Sequence, residues 1–207
     1  MSKVKMPKTS ISIDMTPMVD MAFLLVTFFI LTTQFRPDEP VIITPPTSTS
    51  LSTPPDHGKV VITIAPDGRI FFDLDNQIFR KTLIDKMGEN YGITFTEDER
   101  NAFALSSSMG MPMSMLKGYL ALPPDERKKV PQPGVPVDTT LNLSNELGVW
   151  LNNARVAGNN PVILIKGDSK SNYPAVKNVF KTLEDRKVLK FGLITGDEAA
   201  PSADQLK

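Results

Sequence analysis

The sequence contains no cysteine and a single histidine, His57, among its 207 residues. The absence of thiols excludes disulfides, thiolate metal sites and thiol nucleophiles. A Walker-type phosphate loop is also missing, because the residues after Gly58 and Gly167 do not follow that motif. The histidine has no catalytic or ligating neighbours and is expected on the surface. The sequence therefore predicts no enzyme, no catalytic residues, no metal site and no cofactor.

The chain also lacks an excess of charge of either sign. Its 23 lysines and arginines balance 23 aspartates and glutamates, and the only dense basic run is the short stretch 127–129. Bulk charge therefore gives no indication of a nucleic-acid partner. The length of 207 residues allows one ordinary domain and an additional segment.

A long apolar run lies near the N-terminus. Between residues 17 and 35 the only ionisable side chain is Asp20. As an α-helix rising about 1.5 Å per residue, this run extends roughly 28 Å, which is close to the ~30 Å hydrocarbon core of a bilayer. Thr16 as N-cap and Pro17 as first helical residue would begin the helix. We therefore predict a single transmembrane helix over residues 16–35.

The flanks of this run predict its orientation. A cleaved signal peptide, the alternative for an apolar run at this position, would have a shorter, charge-free core followed by small residues. Basic residues precede the run, whereas Arg36 after it is followed by two acidic residues. The positive-inside rule then predicts a cytoplasmic tail over residues 1–15, with the remaining chain across the membrane.

Three polar residues of the run lie on one side of the predicted helix. At 100° per residue, Thr27 lies about 20° and Gln34 about 40° from the direction of Asp20. Asp20 is either a first-turn residue that contacts lipid headgroups or a group that faces a partner and exchanges protons. An ionised aspartate at the bilayer centre costs about 2.5–3.5 kcal/mol, and intramembrane ionisable residues are usually functional. We therefore favour the second interpretation, with Asp20 as the proton-carrying residue.

The rest of the chain predicts a tether and a folded domain. Residues 36–58 are rich in proline, serine and threonine and indicate a semi-extended linker. The β-branched run 59–65, a Pro-Asp-Gly turn and the run RIFFD predict a β-hairpin. A helix is predicted over 76–92, ending at Gly88 or Gly92. Its apolar side chains on one face are Ile78, Leu83, Ile84 and Met87.

An unusual stretch follows in the middle of the domain. Thr96 and Glu99 have the spacing of a capping box, and we predict two short helices followed by a loop over residues 125–138. Within this stretch, four methionines occupy every second position. They either fill a small core, which is the favoured interpretation, or form an adaptable binding surface. They are Met109, Met111, Met113 and Met115.

The C-terminal part predicts a helix, a strand, a helix and a strand. Ser144 is the predicted cap of the first helix and Gly158 its end, with a core face of Leu147, Trp150, Leu151 and Ala154. The apolar run PVILIKG predicts a central strand, and KFGLITG the last one. The helix between them presents Val176, Val179, Phe180 and Leu183 on one face. Helices on one face of a small sheet are therefore expected, with residues 199–207 as a flexible tail.

The chain resembles the ExbD/TolR family, the single-pass subunits of proton-driven inner-membrane motors in Gram-negative bacteria. The resemblance lies in the run Met15-Thr16-Pro17-Met18-Val19-Asp20 that opens the apolar stretch, and in the strand–helix–strand pattern of residues 161–198. It covers about residues 8–46, 59–73 and 144–198. The fold it implies is an N-terminal transmembrane helix and a periplasmic two-layer α/β domain over 59–198, with a helical insertion at 76–138.

One departure from the family concerns the segment after the membrane helix. Family members usually have an extended segment there that ends in Leu-Pro, whereas this chain has Pro45-Pro46. Extended structure is still expected around Val41 and Ile43, but the usual pairing of this segment is not implied.

The resemblance implies a non-enzymatic motor subunit that uses the proton motive force to energise TonB-dependent transport across the outer membrane. The implied partners are a ring-forming polytopic ExbB-like protein, a second copy of the chain as a homodimer, a TonB-like transducer, membrane lipid and protons. The alternatives are a membrane-anchored periplasmic binding module without ion conduction, a TolQ-TolR-like motor for envelope integrity, and a motor for gliding. A flagellar-stator protein is disfavoured, because its Leu-Ser-x-x-Arg-Ala motif has only a partial counterpart in residues 151–158.

Overall fold

The computed structural model describes residues 14–33, 40–48, 55, 57–138 and 142–197. The chain divides into two compact units, residues 1–37 and 38–207. The first unit contains one described helix, α1 (Thr16–Thr32). Among the described residues, no helix is long and apolar enough to cross a membrane. The last part of the predicted span, residues 34 and 35, lies outside them, as do the predicted tail at 199–207 and residues 1–13 of the predicted cytoplasmic tail.

The second unit is a mixed α/β domain, as the sequence predicts. Its elements are β1 (Thr47–Ser48), β2 (Lys59–Ile64), β3 (Ile70–Leu74), α2 (Gln77–Tyr91), α3 (Glu97–Leu105), α4 (Met113–Ala121), α5 (Pro124–Arg127), α6 (Glu146–Ala157), β4 (Val162–Gly167), α7 (Tyr173–Asp185), β5 (Gly192–Ile194) and β6 (Gly196–Asp197).

The main sheet has four strands in the order β3-β2-β4-β5. The predicted hairpin is confirmed: β2 and β3 are antiparallel, with Val60 opposite Leu74 and Ile64 opposite Ile70. Gly68 in the connecting turn has a φ of 87°, which glycine adopts without steric cost. Strand β4 is parallel to both β2 and β5. This inner position explains its nearly continuous apolar sequence.

The core is built on one face of this sheet. Alternate residues of the strands point to the same face, and those of β2 are Val60, Ile62 and Ile64, all about 1% exposed or less. Helix side chains pack against them in a single cluster. Within it, the ring of Trp150 lies 5.6 Å from that of Phe72 and 5.7 Å from that of Phe103.

One of the core residues predicted for helix α2 is wrong. Leu83, Ile84 and Met87 are buried as predicted, but Ile78 is 72% exposed. Ile78 precedes Leu83 by five residues, which places it about 140° away around the helix, whereas Phe79 is about 40° away and packs against the core. Of the two predicted helix ends, Gly92 is the C-cap, with a left-handed φ of 68°.

The N-cap predicted for helix α6 is wrong. The N-cap is Asn145 rather than Ser144, and its side-chain oxygen accepts a hydrogen bond of 3.1 Å from the Gly148 N–H. Ser144 instead donates its hydroxyl to Asp138. The predicted core face and the C-cap Gly158 are confirmed, because Leu147, Trp150, Leu151 and Ala154 are at most 1% exposed.

The region predicted as an insertion, residues 76–138, is folded and buries three of its four alternating methionines. Met109, Met111 and Met113 are at most 3% exposed, whereas Met115 is 55% exposed. The alternation fails at Met115 because α4 begins at Met113, and two residues along an α-helix turn the side chain by about 200°. The capping box of Thr96 and Glu99 is confirmed.

One part of the predicted loop is wrong, because α5 forms a helical turn at its start. Pro124 stands in the first turn and Asp125 and Glu126 follow, a placement that suits the fixed φ of proline and the positive end of the helix dipole.

Arg80 and Glu146 are two of the side chains that connect the predicted insertion to the rest of the domain. The guanidinium of Arg80 donates to the carbonyl oxygens of Leu74, Ser106 and Ser107 and pairs with the Asp73 carboxylate. Burial raises the pKa of Asp73, although the positive charge of Arg80 acts in the opposite direction. A second attachment is made by Glu146 on α6, whose carboxylate accepts a hydrogen bond of 2.9 Å from the first residue of α4.

The predicted last strand is divided in two. Strand β5 pairs with β4, and after Thr195 the chain continues as β6, which pairs in parallel with β1. Thr47 stands opposite Gly196 in this small second sheet.

Candidate functional site

The helix that carries Asp20 begins one residue earlier than predicted. Thr16 is its first residue, the N-cap is Met15, and Pro17 lies in the first turn. Asp14 is the side chain that hydrogen-bonds to the first residue of the helix. Its carboxylate accepts from the Thr16 N–H at 3.0 Å and from the Thr16 hydroxyl at 2.7 Å. Thr16 is therefore a donor in the first turn rather than its cap.

The surface of α1 is apolar and exposed on all sides. None of its residues is buried, and large side chains such as Phe23, Leu25 and Ile30 are at least 58% exposed. Exposed apolar surfaces of this extent mark sites of interaction with a protein partner or a membrane.

Asp20 is the one ionisable side chain on this surface. Within residues 14–33, its carboxylate has no hydrogen-bond donor and no cation within 4.0 Å. The group is therefore one that water or a partner must solvate, because burying an unpaired carboxylate is strongly unfavourable.

The threonines of α1, in contrast, satisfy their hydroxyls within the helix. Thr27 donates to the carbonyl oxygens of Phe23 at 3.0 Å and Leu24 at 2.9 Å. Thr32 donates to Phe28 at 2.9 Å. Because the Thr27 proton is used by the backbone, Thr27 has only oxygen lone pairs left for a partner group.

The residues of the predicted polar stripe therefore differ in what they can offer a partner. Asp20 and Thr27 lie two helical turns apart on the same side of α1, about 10 Å along the axis. Gln34 lies outside the described residues. What remains is one carboxylate and, two turns away on the same side, a threonine whose oxygen can only accept.

The extended segment after α1 is anchored on the folded domain by Thr44. Its N–H donates a 2.7 Å hydrogen bond to the Asp168 carboxylate, and its carbonyl oxygen accepts one of 3.0 Å from the Ser169 N–H. The Pro46 carbonyl then accepts from the Gly196 N–H at 2.9 Å. The chain is thus held at two successive points before β2.

Asp168 is a functional candidate that the sequence reasoning missed. Its carboxylate accepts from the N–H groups of Lys170 and Thr44, and these hydrogen bonds hold its pKa below the usual range. An aspartate that closes a turn on its own backbone two residues ahead is a recognisable local signal, but the contact with a residue far away in sequence has none.

The predicted segment residues Val41 and Ile43 are half-buried, and Ile42 between them is 93% exposed. None of the three belongs to a strand, since β1 begins only at Thr47. The pairing of the post-helix segment therefore exists but is short and lies downstream of the predicted residues.

Other ionisable groups of the domain serve its structure. Tyr91 donates its hydroxyl to the Leu143 carbonyl at 2.7 Å, and burial, together with the charge of Glu146, raises the pKa of Tyr91 to about 12. Burial also raises the pKa of Glu146. In the part of the chain that the structure describes, no group of three His, Asp or Glu side chains could hold a metal ion.

The chain thus combines a mixed α/β domain with a separate apolar helix that carries one carboxylate. The family described as biopolymer transport protein ExbD/TolR matches residues 6–198, and the chain belongs to this family. Its members are non-enzymatic, membrane-associated proteins of complexes that serve transport or energise the cell envelope. Searches among curated proteins and solved structures gave no match.

Proposed function

We propose that this protein is the proton-carrying subunit of an inner-membrane motor that energises TonB-dependent transport across the outer membrane. The observation that carries the proposal is the Asp20 carboxylate, which has no partner within the described part of α1 and stands on an otherwise apolar surface. Membership of the ExbD/TolR family supports it. Residues 16–35, of which α1 is the described part, would span the membrane, with the N-terminus in the cytoplasm and the α/β domain in the periplasm.

The proposed mechanism uses the two protonation states of Asp20. When protonated, the side chain is neutral and tolerates an apolar wall. When ionised, it requires a polar partner, because an unpaired charge in an apolar medium is expensive. A proton that enters from the periplasmic side and leaves inward would alternate these states and shift or turn the helix. One charge crossing 100 mV releases about 2.3 kcal/mol, which is enough to bias such a switch.

The proposed partners follow from this mechanism. A polytopic, ring-forming ExbB-like protein would supply the polar and apolar walls around Asp20, and a second copy of this chain would complete a homodimer inside the ring. The periplasmic domain would pass the motion to a TonB-like transducer. Thr44 would be the point at which the domain receives this motion, because it is hydrogen-bonded to Asp168 and Ser169 through its N–H and its carbonyl.

A second candidate function is a membrane-anchored periplasmic binding module that conducts no ions. The observation that favours it is the internal satisfaction of the threonine hydroxyls, since a helix whose hydroxyls bond to its own carbonyls can lie in lipid without a partner. A TolQ-TolR-like motor for envelope integrity and a gliding motor keep the mechanism of Asp20 and change only the output.

The test is uptake through a TonB-dependent receptor in cells that depend on this protein. We expect Asp20→Asn to insert and accumulate normally but to abolish uptake, because asparagine has the same size and cannot carry a proton. Leu25→Ile, at an exposed apolar position about 140° around the helix from Asp20, is the control and should retain uptake. Full uptake by Asp20→Asn would contradict the motor and support the anchored module, which also predicts that an unrelated membrane span can replace α1.

A further inference from the structure

A second surface feature lies at the opposite end of the main sheet from the loop that holds Thr44. It is an open groove of about 710 Å³ between the C-terminal end of α6, the start of β4 and the connection from α7 to β5. We call it the basic groove. Its lining includes Arg155, Asn160, Val162, Lys187, Leu189, Lys190 and Phe191.

Three cationic side chains line the basic groove without an acidic counterpart. In the described ranges, no carboxylate oxygen lies within 4.0 Å of the charged nitrogens of Arg155, Lys187 or Lys190. Toward the described part of the chain, Arg155 makes two long contacts, 3.4 Å to the Asn160 side-chain oxygen and 3.3 Å to the Arg186 carbonyl. The groove therefore has positive charge available for an anionic partner.

Apolar side chains stand among these cations. Leu189 is 78% exposed, Val162 47% and Phe191 38%. Phe191 is held in place by Phe180, whose ring centroid lies 5.4 Å away. An aromatic ring packed against Phe180 and two aliphatic side chains beside three cations form a surface on which apolar area and charge can be recognised together.

The backbone around the groove is held in an unusual conformation. Lys187 has a φ of 56° and Asn160 a φ of 59°, both in the left-handed region. Lys187 follows the α7 C-cap, where its N–H bonds to the Glu184 carbonyl and the Val188 N–H to the Leu183 carbonyl. Helices that end in this way usually have glycine at this position. A lysine there costs stability, and strain of this kind is common at binding sites.

We propose that the basic groove binds an extended, acidic segment of a partner protein that carries apolar side chains. Charge complementarity with three cations selects acidic residues, and Leu189 and Phe191 offer the apolar contacts. A bilayer surface is less suitable, because electrostatic binding to anionic lipid uses clusters of four to eight basic residues, and this groove is concave with three. The inference concerns the α/β domain alone and does not depend on proton transfer by Asp20.

The experiment is fluorescence anisotropy of the full chain in detergent with labelled peptide probes. The first probe alternates glutamate with leucine and phenylalanine over ten residues; the second has lysine in place of each glutamate; the third has serine in place of each apolar residue. We expect binding of the first probe only, weakening as salt rises because surface charge pairs are screened.

Substitutions in the groove test whether the first probe binds there. Replacing Arg155, Lys187 and Lys190 by glutamine should weaken binding of the first probe about tenfold, since exposed charge pairs contribute little individually and add up. The matched control replaces Lys170, Lys177 and Lys181, three exposed lysines elsewhere on the domain, and should leave binding unchanged. Leu189→Ser, at a site too exposed to affect folding, should weaken binding about threefold.

Three results would overturn the proposal. The first is equal loss of binding in the groove variant and in the control variant. The second is equal binding of the lysine probe and the glutamate probe. The third is absence of peptide binding together with groove-dependent binding to vesicles that contain phosphatidylglycerol, which would make the groove a lipid-binding surface instead.

Discussion

Thr44 and Asp168 lie 124 residues apart in sequence, and the Thr44 N–H donates a 2.7 Å hydrogen bond to the Asp168 carboxylate. With the neighbouring bond from Ser169 to the Thr44 carbonyl, this contact fixes where the post-helix segment joins the folded domain. In a motor of the proposed kind, this joint would transmit displacement of the helix to the domain.

Asp168→Asn should loosen this joint selectively. The asparagine oxygen can still accept from the Lys170 N–H, but the amide nitrogen that replaces the second carboxylate oxygen cannot accept from Thr44. We expect amide exchange of Thr44 and Gly196 to become about tenfold faster, in line with the usual strength of hydrogen bonds to charged groups. Asp67→Asn, which changes an exposed turn aspartate that accepts from Arg69, is the control. Equal exchange at Thr44 in both variants would show that the contact does not hold the segment.

Acid should loosen the same joint in the unchanged protein. The Lys170 and Thr44 N–H groups hold the pKa of Asp168 below its usual range, so the ionised form is favoured in the folded state. Its contribution is therefore present above the unfolded pKa of about 3.9 and is lost as pH falls through the lowered folded value. Exchange at Thr44, corrected for the intrinsic pH dependence, should rise only below about pH 4. A rise already between pH 7 and 5 would contradict this assignment.

Arg80→Lys should detach the loop between α3 and α4 from the sheet. The guanidinium donates hydrogen bonds to the carbonyls of Leu74, Ser106 and Ser107 and pairs with the Asp73 carboxylate at the same time. A lysine ammonium cannot contact all four groups at once. We expect a loss of about 1–3 kcal/mol in the free energy of unfolding. Urea denaturation measures it, and a change below ~0.5 kcal/mol, as at an ordinary surface site, would show that these contacts are incidental.

The methionines of the insertion allow a matched pair of substitutions. Met113 is 1% exposed in the core cluster, whereas Met115 on the same helix is 55% exposed. Met113→Ala should cost about 2–5 kcal/mol because it leaves a cavity, and Met115→Ala should change stability by no more than ~0.5 kcal/mol. Thermal and urea unfolding test both. Similar small effects in the two variants would indicate a binding surface rather than a core.

The architecture of the α/β domain could be predicted where the local sequence pattern marks the same residues that the fold buries. The hairpin, the face of α6 around Trp150 and the inner position of β4 follow from periodicity and turn chemistry alone. Ile78 is predicted on the core face of α2 because a rough helical spacing groups it with Leu83, but the angle of about 140° between them leaves it exposed. Ser144 and Thr16 were assigned as caps because several neighbouring residues could serve, and only the backbone conformation decides among them.

Contacts between distant segments could not be predicted. The acceptor role of Asp168 toward Thr44 and the attachment of the insertion through Arg80 and Glu146 depend on which surfaces meet, and no local pattern encodes that. The basic groove was invisible for the same reason, since Arg155 and Lys190 belong to different segments. The candidate Asp20, in contrast, was found from sequence because one carboxylate in a long apolar run is a local signal.

Lys187→Gly should stabilise the domain and weaken the basic groove at once. Glycine adopts the left-handed conformation after α7 without the cost that a side chain imposes, and this gain exceeds its greater freedom in the unfolded chain. We expect the free energy of unfolding to rise by about 0.5–1 kcal/mol and binding of the acidic peptide to weaken two- to threefold, roughly one exposed charge pair. Lys181→Gly within α7 should instead destabilise by about 1 kcal/mol. Destabilisation by Lys187→Gly would contradict the assigned strain.

The central claim is that Asp20 gains and loses a proton while the complex works. Its most direct test is infrared difference spectroscopy of the complex with its ExbB-like partner in vesicles, with aspartate labelled isotopically and Asp20→Asn as the reference. We predict a carboxylic acid signal, absent from the reference, whose intensity changes when a proton gradient is imposed. A signal that stays fully protonated or fully ionised with and without the gradient would contradict the account.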